Sequence, residues 1–198
     1  MCLLLETVKI LNSKLQNIEF HNQRLNSSRK NLFGSDRKLD LEHEIQIPAD
    51  LKDGIFKCRV LYKEKIEKIE FQPYQIKAVK TLQIVHGDRI DYQYKFADRT
   101  ALENLKEGTV ADDILIAKHG CITDTSYANI VFFDGQNWLT PATPLLKGTK
   151  RSQLLQQQKI RAEIITLDDL QKFQYAKLIN AMIDLEESPV IETFIHQG

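Results

Sequence analysis

Five places in this chain hold residues whose types and order could do chemistry together. Lys95, in Tyr94-Lys95-Phe96-Ala97-Asp98-Arg99, offers an amine that can condense with a carbonyl and afterwards carry protons. Downstream, the turn-rich run from Gly120 to Arg151 holds Asp124, an anion able to keep a facing ring nitrogen protonated. The same run ends at Gly148-Thr149, read as the start of a helix, where backbone N–H groups and the helix dipole favour an anion. Asn180-Ala181 offers a side-chain amide, and Arg24 a fork-shaped cation suited to phosphate.

An imine-forming amine, an anion for a pyridine nitrogen and a phosphate cradle are what pyridoxal phosphate asks of a protein. Composition alone does not choose these residues. Lys95 also reads as a strand-end surface lysine, Arg24 as a solvated helix arginine, and Asp124 as a turn residue in Thr-Asp-Thr-Ser. Tyr94 and Tyr127 could line a pocket or pack in a core.

The elements that would position these groups follow from periodicity. Residues 3–10 read as a buried strand ending at Asn12-Ser13. Phe20, Leu25, Leu32 and Phe33 give a helical stripe over 19–33, stopped by Gly34, with His21, Arg24 and Arg29 on it. Residues 39–47 extend a helical pattern up to Pro48. Alternation of Phe56, Cys58, Val60 and Tyr62, then Ile66, Ile69 and Phe71, predicts an antiparallel hairpin ending at Pro73. Residues 73–87 are extended and suit a crossover between domains. Beyond them come a helix over 99–105 closed by Gly108 and a strand over 113–117. A hairpin over 130–140 turns at Asp134-Gly135, and a helix over 149–161 is followed by a strand over 162–166. Thr166 is placed to cap a short helix over 167–172, and final strands fall at 176–179 and 190–195.

Bulk properties narrow the class. In 198 residues, 27 basic side chains balance 27 acidic ones, which argues against a nucleic-acid binder and leaves room for a local anion site. Cys2, Cys58 and Cys121 form no CxxC pair, and the five histidines are scattered, so neither zinc ligation nor a disulfide framework is expected. The opening apolar run is cut by Glu6 and Lys9, and no later run is long enough to span a bilayer. The expectation is a cytoplasmic protein acting on small molecules, with no metal, nucleic acid or membrane partner.

Several blocks together resemble the class-IV aminotransferases, the fold-type-IV pyridoxal-phosphate family. His21-Asn22-Gln23-Arg24-Leu25 is similar to the family's HxxRL signature, and Lys95 with Arg99 to the lysine run of its 4-amino-4-deoxychorismate lyase branch. Gly120-x-Ile122-Thr123-Asp124 followed by Asn129-Ile130-Val131-Phe132 resembles the block that carries a glutamate facing the ring nitrogen. Thr140-Pro141, the run Leu146 to Arg151, Asn180-Ala181-Met182 and Pro189-Val190 complete the order.

The resemblance implies an α/β chain of the α+β type, with the two-domain fold of D-amino-acid aminotransferase and a cofactor cleft between the domains. A smaller α+β domain would take residues 1–80, and a larger barrel-like α/β domain, residues 81–198, would carry Lys95. It implies pyridoxal 5′-phosphate as cofactor and Lys95 as the imine lysine. Arg24, Gly148, Thr149, Asn180 and Ala181 would hold the phosphate, and Asp124 would face the ring nitrogen. Aspartate there is about 1.5 Å shorter than glutamate. Lys150 stands where transaminases often carry threonine, and Asn180-Ala181 resembles the lyase branch. Arg99 is a candidate for a substrate carboxylate, although with Asp98 it also reads as a loop tie. The implied reaction removes pyruvate from 4-amino-4-deoxychorismate to leave 4-aminobenzoate. Alternatives are a transaminase of a small or branched-chain amino acid, and a shortened homologue without turnover. A homodimer with a small amino or carboxylate substrate is implied. A hairpin that the family places ahead of the segment matching Leu5-Glu6-Thr7 is expected to be missing.

Overall fold

The computed structural model describes residues 2–191 and 193–195, so Glu192, inside the last expected strand, lies outside the described residues. The chain divides into one unit of Met1–Ile76 with Tyr94–Asp98, and a second of Lys77–Gln93 with Arg99–Gly198.

In the first unit β1 (Leu4–Leu11) lies between β2 (Lys14–Leu15) and β3 (Ile55–Tyr62), and β4 (Ile66–Pro73) completes an antiparallel sheet in the order β2-β1-β3-β4. Side chains alternate across a strand, so Leu4, Glu6, Val8 and Ile10 share one face of β1. Their partners across β3 are Tyr62, Val60, Cys58 and Phe56, which extend that face. Against it packs α1 (Ile18–Phe33), whose buried residues His21, Leu25 and Ser28 recur at helical spacing. Burying Leu25 completely is worth about 1.5–3 kcal/mol. Gly34 ends the helix in the left-handed region at φ 68°, where its N–H bonds the Lys30 carbonyl.

Helix α2 (Leu41–Glu44) covers only part of the expected 39–47 stretch. Asn22 and Asn26 of α1 hold the backbone at 39–41 by side-chain hydrogen bonds, and Asp40 caps Glu42. Ile45 is then extended and buried, with Pro48 close behind.

The Lys95 segment corrects the expected domain division, which placed it with the second half. Leu5 N–H donates to the Lys95 carbonyl at 2.9 Å, and Ala97 N–H to the Leu3 carbonyl at 2.9 Å. This short antiparallel pairing, with Leu4 opposite Phe96, returns residues 94–98 to the first unit. Tyr94 and Phe96 pack against the same core as Leu25.

The second unit is built on β5 (Thr81–His86), β6 (Asp113–Lys118), β7 (Cys121–Thr125), β8 (Asn129–Phe133), β9 (Trp138–Pro141), β10 (Arg161–Glu163), β11 (Tyr175–Ile179), β12 (Val190–Ile191) and β13 (Thr193–Ile195). They follow the order β10-β9-β8-β7-β6-β5-β13, and β11 pairs with β8 and β12. β5 and β6 are parallel and joined through α3 (Thr100–Lys106), while β9 and β10 are parallel and joined through α4 (Thr149–Gln156). His119 and Gly120, both at positive φ, close the β6–β7 hairpin. Gly135 at φ 100° closes β8–β9, where Asp134 Oδ1 accepts from the Gln136 and Asn137 N–H groups.

Two expectations shift here. Helix α4 stops at Gln156 rather than Arg161, because Gln158 turns left-handed at φ 56° and frees Arg161–Glu163 to pair with β9. Thr166 does not cap the next turn through its oxygen. Its N–H and hydroxyl both donate to Asp169 Oδ2, so Asp169 holds the 3₁₀ turn Asp168–Lys172.

Candidate active site

In the first unit the chemistry gathers on Glu6. The alternation of β1 points it inward among apolar side chains, toward the α1 face that carries His21 and Arg24. It is fully buried. Arg24 Nε donates to Glu6 Oε1 at 2.8 Å and Arg24 Nη2 to Oε2 at 2.6 Å, a bidentate pair. His21 Nδ1 lies 2.6 Å from Oε2; an ionised carboxylate only accepts, so Nδ1 carries the proton. Burial raises the Glu6 carboxyl, but Arg24 and then His21 outweigh it and hold it at about 2. Burial pushes His21 down, with Glu6 pulling up and the Arg24 and Lys95 charges adding to the fall. Lys95 therefore belongs electrostatically to this cluster, and its carbonyl is bonded beside Glu6 at Leu5.

The second unit builds around Asp124, on the buried strand β7. Its Oδ1 accepts from Asn129 Nδ2 at 2.7 Å and its Oδ2 from Leu146 N–H at 2.9 Å. Asn129 Nδ2 also reaches the Leu146 carbonyl at 2.9 Å, so one aspartate and one asparagine hold the loop that leads into α4. Burial raises Asp124 to about 6, against the lowering effect of the hydrogen bonds from Leu146 and Asn129. The Leu145 N–H is a further donor to this carboxylate.

Gly148 follows directly. A Cβ there would meet Asn129 Oδ1 at 1.9 Å, so only glycine allows this approach. Gly148→Ala is expected to cost about 1–3 kcal/mol by forcing Asn129 or the α4 start aside. The check is urea unfolding; adding Asn129→Ala should recover part of the loss, since the two changes act through one contact.

Helix α4 begins without a side-chain cap and with no acidic residue in its first turn. Thr149, Lys150 and Arg151 are instead buried there. Arg151 Nη2 donates to the Pro141 carbonyl at 2.8 Å, while its buried Nε has no hydrogen-bond partner. Burial lowers the Arg151 pKa, opposed by Asp124. Two cations at the positive end of a helix are unfavourable on their own and suit an anion.

Asn180 closes a tight turn, its Oδ1 accepting from the Met182 and Ile183 N–H groups at 2.8 and 3.1 Å. Lys150 pairs with Asp184 just beyond, which ties the α4 start to this turn.

Of the residues singled out in the sequence, Arg24 and Lys95 thus sit in the first unit. Asp124, Gly148, Thr149, Asn180 and Ala181 sit in the second, where the α4 start meets both Asp124 and the 180–184 turn. Arg99 also lies in the second unit, donating through Nη2 to the Ser126 carbonyl at 2.7 Å. Glu6, Asn129, Arg151 and Asp184 had been given no role. Glu6 carried a signal, an acidic residue on the apolar face of an alternating strand; Asn129 carried only its place in a block. Among the described residues no cluster of His, Cys, Asp or Glu could hold a metal, and no helix is long and apolar enough to cross a membrane.

Four likenesses bear on the family and the fold. The profile of the family described as "Amino-transferase class IV" matches residues 65–186. An uncharacterised protein of Haemophilus influenzae is 38% identical over 182 residues, which is 90% of this chain and 97% of that one. The crystal structure of a candidate 4-amino-4-deoxychorismate lyase from Haemophilus somnus is 35% identical, covers 93% of this chain and 98% of that one, and superposes with a TM-score of 0.86. A candidate amino-acid aminotransferase from Mesorhizobium loti, 20% identical over 98% of this chain and all of its own, has a TM-score of 0.79 and shares the fold.

Proposed function

The chain belongs to the class-IV aminotransferase family, whose enzymes depend on pyridoxal 5′-phosphate, and we propose that it binds this cofactor and acts as a lyase. The reaction proposed is removal of pyruvate from 4-amino-4-deoxychorismate, leaving 4-aminobenzoate. The observation that carries the reading is the bonded set of Asp124, Asn129, Leu146 and Gly148. It sets a buried carboxylate beside an uncapped, cationic helix start, which is the pairing a ring nitrogen and a phosphate require. The choice of lyase is supported by the name of the 35% identical structure and by the Asn180-Ala181 pair.

The residues fit the cofactor. Asp124 is proposed to accept from the ring nitrogen: a cation there would favour its ionised form and reverse the rise to about 6 that burial causes. The N–H groups of Gly148 and Thr149 are assigned to the phosphate, with Asn180 and Ala181 on its other side. The Arg24 guanidinium is assigned to the phosphate as well, oriented by Glu6. When bound, the cofactor supplies an electron sink for the bond that breaks. Lys95 is assigned the covalent hold on the cofactor and then, through Nζ, the proton transfers. The His21 proton stays on Nδ1, donated to the ionised Glu6, and burial favours a neutral imidazole beside the Lys95 charge.

The test is direct. Purified protein with pyridoxal phosphate should show a visible absorption band, and borohydride reduction followed by peptide mapping should mark Lys95. Adding 4-amino-4-deoxychorismate should release 4-aminobenzoate and pyruvate in equal amounts. No band would overturn the cofactor reading. A band without product, together with conversion to the amine form of the cofactor by amino acids, would replace the lyase with a transaminase.

A further inference from the structure

Resting on the cofactor reading above, we propose that Lys150 is the cationic anchor of the cofactor's phosphate, held in place by Asp184. Three observations lead there. Lys150 is buried, at 9% exposure, in the first turn of α4, where a lysine opposes the helix dipole. The helix has no side-chain cap at this end and no acidic residue in its first turn to offset the lysine. Its Nζ contacts Asp184 and donates to Gln153 Oε1 at 2.8 Å, which uses two of the three ammonium donors.

Asp184 lies directly after the turn closed by Asn180, with the Asn180 and Ile183 backbones bonded to one another. The ion pair therefore stations the ammonium where the α4 start and the 180–184 turn come together. Those are the two stretches assigned to the phosphate. A lone surface pair would be worth little, but the Lys150 end of this one is buried, and its ammonium has one donor beyond those given to Asp184 and Gln153. The orphan Nε of buried Arg151, on the same turn, is a second unmatched donor at this end of the helix. A phosphate carries about 1.5–2 negative charges at neutral pH and would add to the counter-charge that Asp184 gives Lys150 and Asp124 gives Arg151. Asp184 acts here as a positioning residue, and Lys150 as a ligand that makes binding depend on charge.

The experiment compares equilibrium binding of pyridoxal 5′-phosphate with that of pyridoxal, which lacks only the phosphate, by dialysis and fluorescence titration. In Lys150→Met the preference for the phosphorylated form should fall about tenfold or more, with pyridoxal affinity unchanged. Lys150→Gln keeps polar contact with Asp184 and Gln153 while losing the charge, and should show the same fall even if the methionine variant folds poorly. Lys150→Arg should retain the preference. An unchanged preference in Lys150→Gln overturns the inference. Failure of the unaltered protein to bind either compound would instead strike the cofactor reading on which it rests.

Discussion

Replacing Lys95 with alanine should abolish 4-aminobenzoate release without unfolding the protein. The separation follows from how Lys95 is held. Its segment is fixed by main-chain bonds, the Leu5 N–H to the Lys95 carbonyl and the Ala97 N–H to the Leu3 carbonyl, and by Tyr94 and Phe96 in the core. Alanine keeps all of these main-chain and core contacts, so the segment should stay in place and urea unfolding should remain cooperative. The lost amine removes both the covalent hold and the proton carrier; loss of positioned proton transfer alone lowers rates by about 10²–10⁴-fold. The borohydride label should vanish from the 94–98 peptide, and a small primary amine in the buffer should restore part of the rate. Turnover within a few-fold of the unaltered protein would sink the role given to Lys95. Loss of both turnover and stability would mean that the side chain holds the segment, against the hydrogen bonding described above.

Periodicity carried α1 and the strands β1, β3, β4, β6, β8, β9 and β11, but left β5 inside an expected crossover over 73–87 and did not announce β7. It failed where the decisive partner is remote in sequence. The stop of α4 at Gln156 depends on a left-handed Gln158 and on a parallel partner, β9, which no local pattern announces. The return of Lys95 to the first unit depends on two hydrogen bonds to residues about ninety positions earlier, a separation that chain statistics make no easier to foresee.

The site was legible to a similar degree and for a similar reason. Arg24, Lys95, Asp124 and Gly148 are candidates through order within blocks, which records family likeness more than physics. Asn129 and Asp184 were missed because their value lies in bonds across turns, from Asn129 to Asp124 and from Asp184 to Lys150. Gly148 gained a physical reason only from coordinates, since its need for glycine comes from Asn129 lying against it.

Glu6→Ala should cost about 3–5 kcal/mol, the range for removing one partner of a buried ion pair, and this is a large part of the 5–15 kcal/mol that keeps a domain folded. Alanine would leave the Arg24 fork and the His21 N–H with no acceptor in an apolar setting. The pH dependence gives an independent measure. The Glu6 carboxyl falls from 4.5 when free to about 2 when folded, which corresponds to about 3 kcal/mol. Its folded value is the lower one, so this stability is present above pH 4.5 and is lost as pH drops toward 2. His21 is also lowered on folding, so its share is lost first, as pH falls below 6.5. Acid should therefore weaken the first unit in two stages of the same sign. Glu6→Gln keeps the shape and removes the Glu6 share of the second stage, so the urea midpoint should fall less steeply between pH 4.5 and 2 than in the full decline of the unaltered protein; other carboxylates lowered on folding, such as Asp40 and Glu70, supply what remains. If Glu6→Gln keeps that decline, the buried carboxylate is not the group that titrates. If Glu6→Ala unfolds no more easily than the unaltered protein, Arg24 does not depend on Glu6, and the cofactor-binding assignment of Arg24 must stand without the orienting contact.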